Sequence, residues 1–252
     1  MITKELIDAR WKVIIGAVLG VCLVLVSAFT YDLIASALTS EQKQSISNAA
    51  GNGILERLTN YGIFAWSQTY SPTNNTGVIL IIVAALIGAS LIAGEVSKGT
   101  IFLLLSRPLS REQIVLTKFG VGAALMLGMN VLVSVVLAIA SSITGHPQNL
   151  GGIAISALLF WLGTVFVLGV AAVFSVVFSD VLRPLALAAG VLILLSLPAF
   201  FPHGGDWVLP TYWSSLPAFL GQEFPLKALV ISLIAAAVPV VLAVPLFKRQ
   251  QY

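Results

Sequence analysis

The chain has 252 residues, 58% of them hydrophobic, with a mean hydropathy of +1.02. Charged residues make up only 9%, against roughly 25% in a soluble domain, so the composition excludes a soluble globular fold and specifies an integral membrane protein. The formal charge of +3 arises from basic residues that flank apolar runs, which topology explains and nucleic-acid binding does not.

Residues 1–12 come first. Ile2, Leu6, Ala9 and Val13 are spaced to share one helical face, with Glu5, Asp8 and Lys12 opposite. The pattern predicts an interfacial helix lying on the membrane with its polar side toward the cytoplasm and Trp11 at the headgroup level. Six apolar runs long enough to cross the hydrocarbon follow, at Val13–Phe29, Gly77–Ala93, Ile114–Ile143, Ile153–Phe178, Pro184–Phe201 and Leu226–Phe247. None alternates as a barrel strand would, so the expected class is an all-α membrane protein with six transmembrane helices, a single domain over residues 1–252.

In the first span Gly16 and Gly20 form a GxxxG pair suited to close helix packing. Residues 31–76 read as a long polar loop. In the third span Asn130, Ser134 and Ser141 lie on one face, where they either bond neighbouring helices or line a substrate path. Residues 202–225, rich in proline and aromatics, read as short broken helices at the outer interface. His146 and His203 lack partners at metal-ligand spacing, so no metal site is expected.

Ten of the 13 Lys and Arg residues flank the spans on the side of the termini: Lys4, Arg10, Lys12, Lys98, Arg107, Arg111, Lys118, Arg183, Lys248 and Arg249. Lys43, Arg57 and Lys227 fall on the other side. The bias predicts a multi-pass membrane protein with both termini cytoplasmic.

The connection between spans two and three, residues 95–112, carries the most information. An apolar core, Ile101–Leu105, is bracketed by charges, which suits a short helix packed against a partner. Ser110 and Gln113 have capping-box spacing at the start of span three, and Pro108 breaks the chain before it. Glu95, placed at the end of span two, opposes the helix dipole there and calls for a cation, with Arg10 or Lys12 the expected partner.

Glu95, Gly99, Thr100, Leu104, Leu105, Pro108, Ser110 and Arg111 follow a pattern that resembles the ABC-2 family of ABC transporter permeases, and the likeness in topology extends over the whole chain. The resemblance implies a permease subunit of an exporter that works as a dimer, with a second identical or paralogous permease, in a prokaryotic cell membrane among membrane lipids. It implies separate ATP-binding cassette subunits that hold ATP and Mg. Residues 1–12 would be the elbow helix, with Arg10 and Lys12 as its pairing residues. The segment with Glu95, Lys98, Gly99, Thr100, Ile101, Phe102, Leu104, Leu105 and Arg107 would be the coupling helix that meets the ATPase. No phosphate-loop motif occurs in the sequence, and no catalytic residue is assigned, so an enzyme is not expected. No ionisable group lies at a span centre, which weighs against a secondary transporter. That reading and a non-transporting membrane assembly protein remain as alternatives, and the substrate is open.

Overall fold

The computed structural model describes residues 2–50, 52–102, 110–201 and 208–249. Among these residues all regular structure is helical. The elements are α1 (Ile2–Ala37), α2 (Ser40–Ala50), α3 (Asn52–Thr59), α4 (Tyr61–Tyr70), α5 (Asn75–Ser90), α6 (Ala93–Ser97), α7 (Arg111–Ile143), α8 (Leu150–Val177), α9 (Leu182–Ser196), α10 (Leu216–Phe219) and α11 (Leu226–Arg249). Among the described residues, six segments are long and apolar enough to cross a membrane: Thr3–Ala37, Tyr61–Ser90, Arg111–Ile143, Leu150–Val177, Leu182–Phe200 and Leu226–Arg249.

The centre of the bundle is α8, whose crossing segment is two-thirds buried inside the chain, whereas that of α9 is only 11% buried. Small residues let other helices approach α8. A Cβ on Gly88 of α5 would stand 2.2 Å from the Leu168 carbonyl oxygen, and one on Gly163 would stand 2.5 Å from the Trp213 ring. The GxxxG pair works the same way, since a Cβ on Gly16 would meet Val83 of α5 at 2.5 Å and Met129 of α7 at 2.9 Å. Bulky apolar side chains left exposed, such as Ile15, Leu19, Ile193 and Val241, suit a lipid solvent that costs them nothing.

Three expectations change. Residues 2–12 are not a separate helix: α1 runs without a break from Ile2 to Ala37. Its first turns also divide differently, with Glu5 and Ala9 buried and Leu6, Ile7, Asp8 and Trp11 exposed, because the Glu5 carboxylate finds a buried ammonium while the apolar residues have lipid available. The 31–76 stretch is not an open loop: it holds the last turns of α1 together with α2, α3 and α4. Span two accordingly begins at Tyr61 and is interrupted between Tyr70 and Asn75, where a Cβ on Gly77 would lie 1.9 Å from the Ser71 carbonyl oxygen. In the described part of 202–225 short helices do occur, a 3-10 turn over Leu209–Trp213 and then α10, and they bury Trp213 and Phe219 against the bundle.

Candidate functional site

The site lies at the end of the bundle where both termini and the α6–α7 connection meet. It begins with a break in span two. After Ser90 the chain leaves helical geometry, and the amides of Ile92 and Ala93 would be unpaired in the interior. Ser175 of α8, fully buried, accepts from both, at 2.9 and 2.8 Å. The chain then forms α6, only five residues long.

Gly99 ends α6. Its φ of +68° is left-handed, its N–H donates to the Val96 carbonyl at 3.0 Å, and the Thr100 N–H donates to the Glu95 carbonyl at 2.9 Å. These are the two bonds of a Schellman ending, and glycine alone adopts that φ without strain. The turn brings Thr100 back over Glu95, where the threonine hydroxyl donates to Glu95 Oε2.

Glu95 is therefore in the first turn of α6, not at the C-terminal end of span two where the sequence reading put it. It is 4% exposed and gathers cations from two other helices. Lys4 of α1 donates to both its oxygens, at 2.8 and 2.6 Å. Lys118 of α7 donates to Oε1 at 3.0 Å and to Glu5 Oε1 at 2.5 Å. Lys118 is itself only 2% exposed. Burial alone pushes the Glu95 carboxyl up. The hydrogen bonds from Lys4 and Thr100 and the charge of Lys118 outweigh it and hold the group at about 2.

The expected partners, Arg10 and Lys12, do not bond Glu95. Lys12 turns to Ser90 Oγ at 2.5 Å and the Leu86 carbonyl at 3.2 Å, and Arg10 lies over the Trp11 ring. The continuous α1 carries Lys4 past the level of α6, so the cation two turns earlier makes the pair. Nearby, Lys98 reaches Asp8 at 3.6 Å. The capping box is present, with Ser110 and Gln113 bonded reciprocally, and Arg111 donates to the Phe247 and Lys248 carbonyls. The C-terminal helix is thereby fastened to the same end.

Beyond the turn, Ile101 is 2% exposed and Phe102 is 65% exposed, so adjacent apolar residues face inward and outward. Leu104, Leu105 and Arg107 lie outside the described residues. Asn130, Ser134 and Ser141 do share a buried face of α7. Asn130 donates to the Met126 carbonyl, Ser134 bonds Tyr70 at 2.7 Å, and Ser141 donates to the Ala138 carbonyl. His146 pairs with Asp32 at 2.9 Å and stacks on Tyr61 at the opposite end of the bundle. Sequence reasoning missed Ser175, Glu5 and Lys118. A lysine at the fifth position of the apolar run Ile114–Ile143 was the available signal for the last of these.

Three helices and a connecting turn thus converge on one carboxylate, a geometry suited to holding elements in a fixed relation. No curated protein matches the chain. A family model described as an ABC-2 family transporter protein matches residues 1–202, which include the whole site apart from the last turn of α11. With 202 of 252 residues matched, the chain belongs to the ABC-2 family and is a membrane permease component of an ABC transporter, a transport part and not itself a catalyst.

Proposed function

We propose that this permease serves an exporter, pairs with a second identical or paralogous permease, and is driven by separate ATP-binding subunits that hold ATP and Mg. Both termini lie in the cytoplasm of a prokaryotic cell. The segment that begins at Glu95 receives the stroke of the ATPase and passes it to α1, α5 and α7 as one body.

The observation that carries this reading is the Glu95 cluster. A push on the turn after α6 reaches Glu95 through Thr100, and from Glu95 it reaches α1 through Lys4 and α7 through Lys118. Phe102, exposed beside the buried Ile101, supplies an anchor of the kind that protein grooves accept. The ten-to-three distribution of basic residues supports the orientation. Asn130 and Ser134 line an apolar cavity of about 390 Å³ between α7 and α8, which supports a place for them on a substrate path, whereas Ser141 does not reach it.

The test is co-expression with a stand-alone ATPase that carries a phosphate loop and is encoded beside this gene. The two should co-purify, and Phe102→Asp should weaken the complex. Co-purification unaffected by Phe102→Asp would remove this segment from the interface. An impermeant maleimide should label Ser97→Cys and Gln44→Cys, each in a Cys22→Ala background, from opposite sides of the membrane.

A further inference from the structure

Below the Glu95 cluster lies a cavity of about 280 Å³, walled by α1, α5, α6 and the turn before α9. Its ionisable groups and their neighbours do not balance. Lys12, Lys98 and Lys118 line it with Glu5, Asp8 and Glu95, and among the described residues Lys4, half exposed, adds a fourth cation from outside by reaching Glu95. Glu95 is taken by Lys4 and Lys118, Glu5 by Lys118, and Asp8 by Lys98. Among the described residues Lys12 has no carboxylate within ion-pair distance: its ammonium is drawn into the wall of the cavity and bonds neutral oxygens, those of Ser90 and Leu86, while Asp8 and Glu5 act on it only at longer range. A lysine in partly dehydrated surroundings calls for a counter-charge, and here the deficit is a single negative charge.

The setting says which anion. Lys12 sits at the foot of the first apolar run, beside the exposed Trp11, the level at which headgroups lie. Ile15 and Leu19 follow it at spacings of three and four, on the same helical face, and both are about half exposed. A molecule with a monoanionic phosphodiester at Lys12 and an acyl chain along Ile15 and Leu19 meets both features. We infer that this cavity is a binding site for the headgroup of an anionic phospholipid, with Lys12 as the residue that recognises its phosphodiester. Bound there, the lipid would brace α1 against α5 beside the Glu95 cluster.

The experiment uses the full chain in detergent and native mass spectrometry, titrating dioctanoyl phosphatidylglycerol, dioctanoyl phosphatidylcholine and inorganic phosphate. One phosphatidylglycerol should bind about fivefold more tightly than phosphatidylcholine, the effect of one lysine near a headgroup. Lys12→Gln should abolish that preference. Arg10→Gln removes the same charge outside the cavity and should change binding less than about twofold. Gly94 has room for a side chain, with only Ser90 Cβ near, at 3.5 Å. Gly94→Leu should therefore fill the cavity and weaken binding with every charge intact, and it serves if Lys12→Gln fails to fold. Unchanged preference in Lys12→Gln, or unchanged phosphatidylglycerol affinity in Gly94→Leu, overturns the proposal. So do equal losses in Arg10→Gln and Lys12→Gln, which would mean diffuse surface charge. Inorganic phosphate that displaces the lipid at equal concentration would show a free-anion site and overturn the lipid assignment. None of these measurements involves an ATPase, so they stand or fall apart from the coupling role.

Discussion

Lys118→Met removes the ammonium that joins α7 to both α1 and α6. The two carboxylates it serves are left in different positions. Glu95 keeps Lys4 and the Thr100 hydroxyl, whereas Glu5, 8% exposed, loses the partner the structure gives it among the described residues. Breaking a buried pair from one side costs about 3–5 kcal/mol, mostly for the charge left behind. With Glu95 still compensated, the cost should fall near the lower end, about 3 kcal/mol. Replacing both charges removes the orphan, so Glu5→Met with Lys118→Met should recover most of the loss, with a coupling of about 2 kcal/mol between the two sites. Equilibrium unfolding in mixed micelles, followed by tryptophan fluorescence, reads both quantities. A cost for Lys118→Met below about 1 kcal/mol, or a double variant no better than the single one, would refute the buried triad.

Acid should expose the same cluster. The Glu95 carboxyl sits at about 2 in the folded protein against an ordinary 4.5, so its contribution is complete above about pH 4.5 and is lost as the pH falls toward 2. That contribution is up to about 3 kcal/mol, and Glu95→Gln should flatten the acid limb of the stability curve. Ser175→Ala leaves the buried amides of Ile92 and Ala93 without an acceptor and should cost about 2–3 kcal/mol in the same unfolding assay. Gly88→Ala drives a methyl group into the Leu168 backbone and should cost about 1–3 kcal/mol. Gly120→Ala, with open space around it, should be neutral or stabilise by up to about 1 kcal/mol, and the pair is checked by comparing thermal midpoints.

Five of the spans were legible in the sequence as unbroken apolar runs, but span two was legible only from Gly77 onward, because its first part, Tyr61–Tyr70, mixes polar and aromatic residues and breaks off before Asn75. The capping box was legible because Ser110 and Gln113 make a local arrangement that depends on no distant residue. The pairing of Glu95 was legible as a need and not as an address. Its partners, Lys4 and Lys118, lie 91 and 23 positions away, and only the packing of α1 and α7 beside α6 selects them. The break after Ser90 was hidden for a related reason. Leu91, Ile92 and Ala93 continue the hydropathy of span two, and the side chain that makes the break tolerable is Ser175 on another helix. The first turns of α1 misled because amphipathic spacing identifies two faces without saying which one meets protein. With the buried Lys118 available, Glu5 turns inward from the polar face while Asp8 stays exposed.

The coupling role is tested most directly by ATP-driven transport in proteoliposomes holding Phe102→Asp and its ATPase. Loss of an interface anchor worth at least about 2 kcal/mol corresponds to roughly a thirtyfold weaker contact. With the ATPase held at the concentration that half-saturates the unsubstituted permease, transport should therefore fall by more than about tenfold while insertion, folding and ATP hydrolysis by the free ATPase persist. Transport at the normal rate would contradict a stroke delivered through this segment.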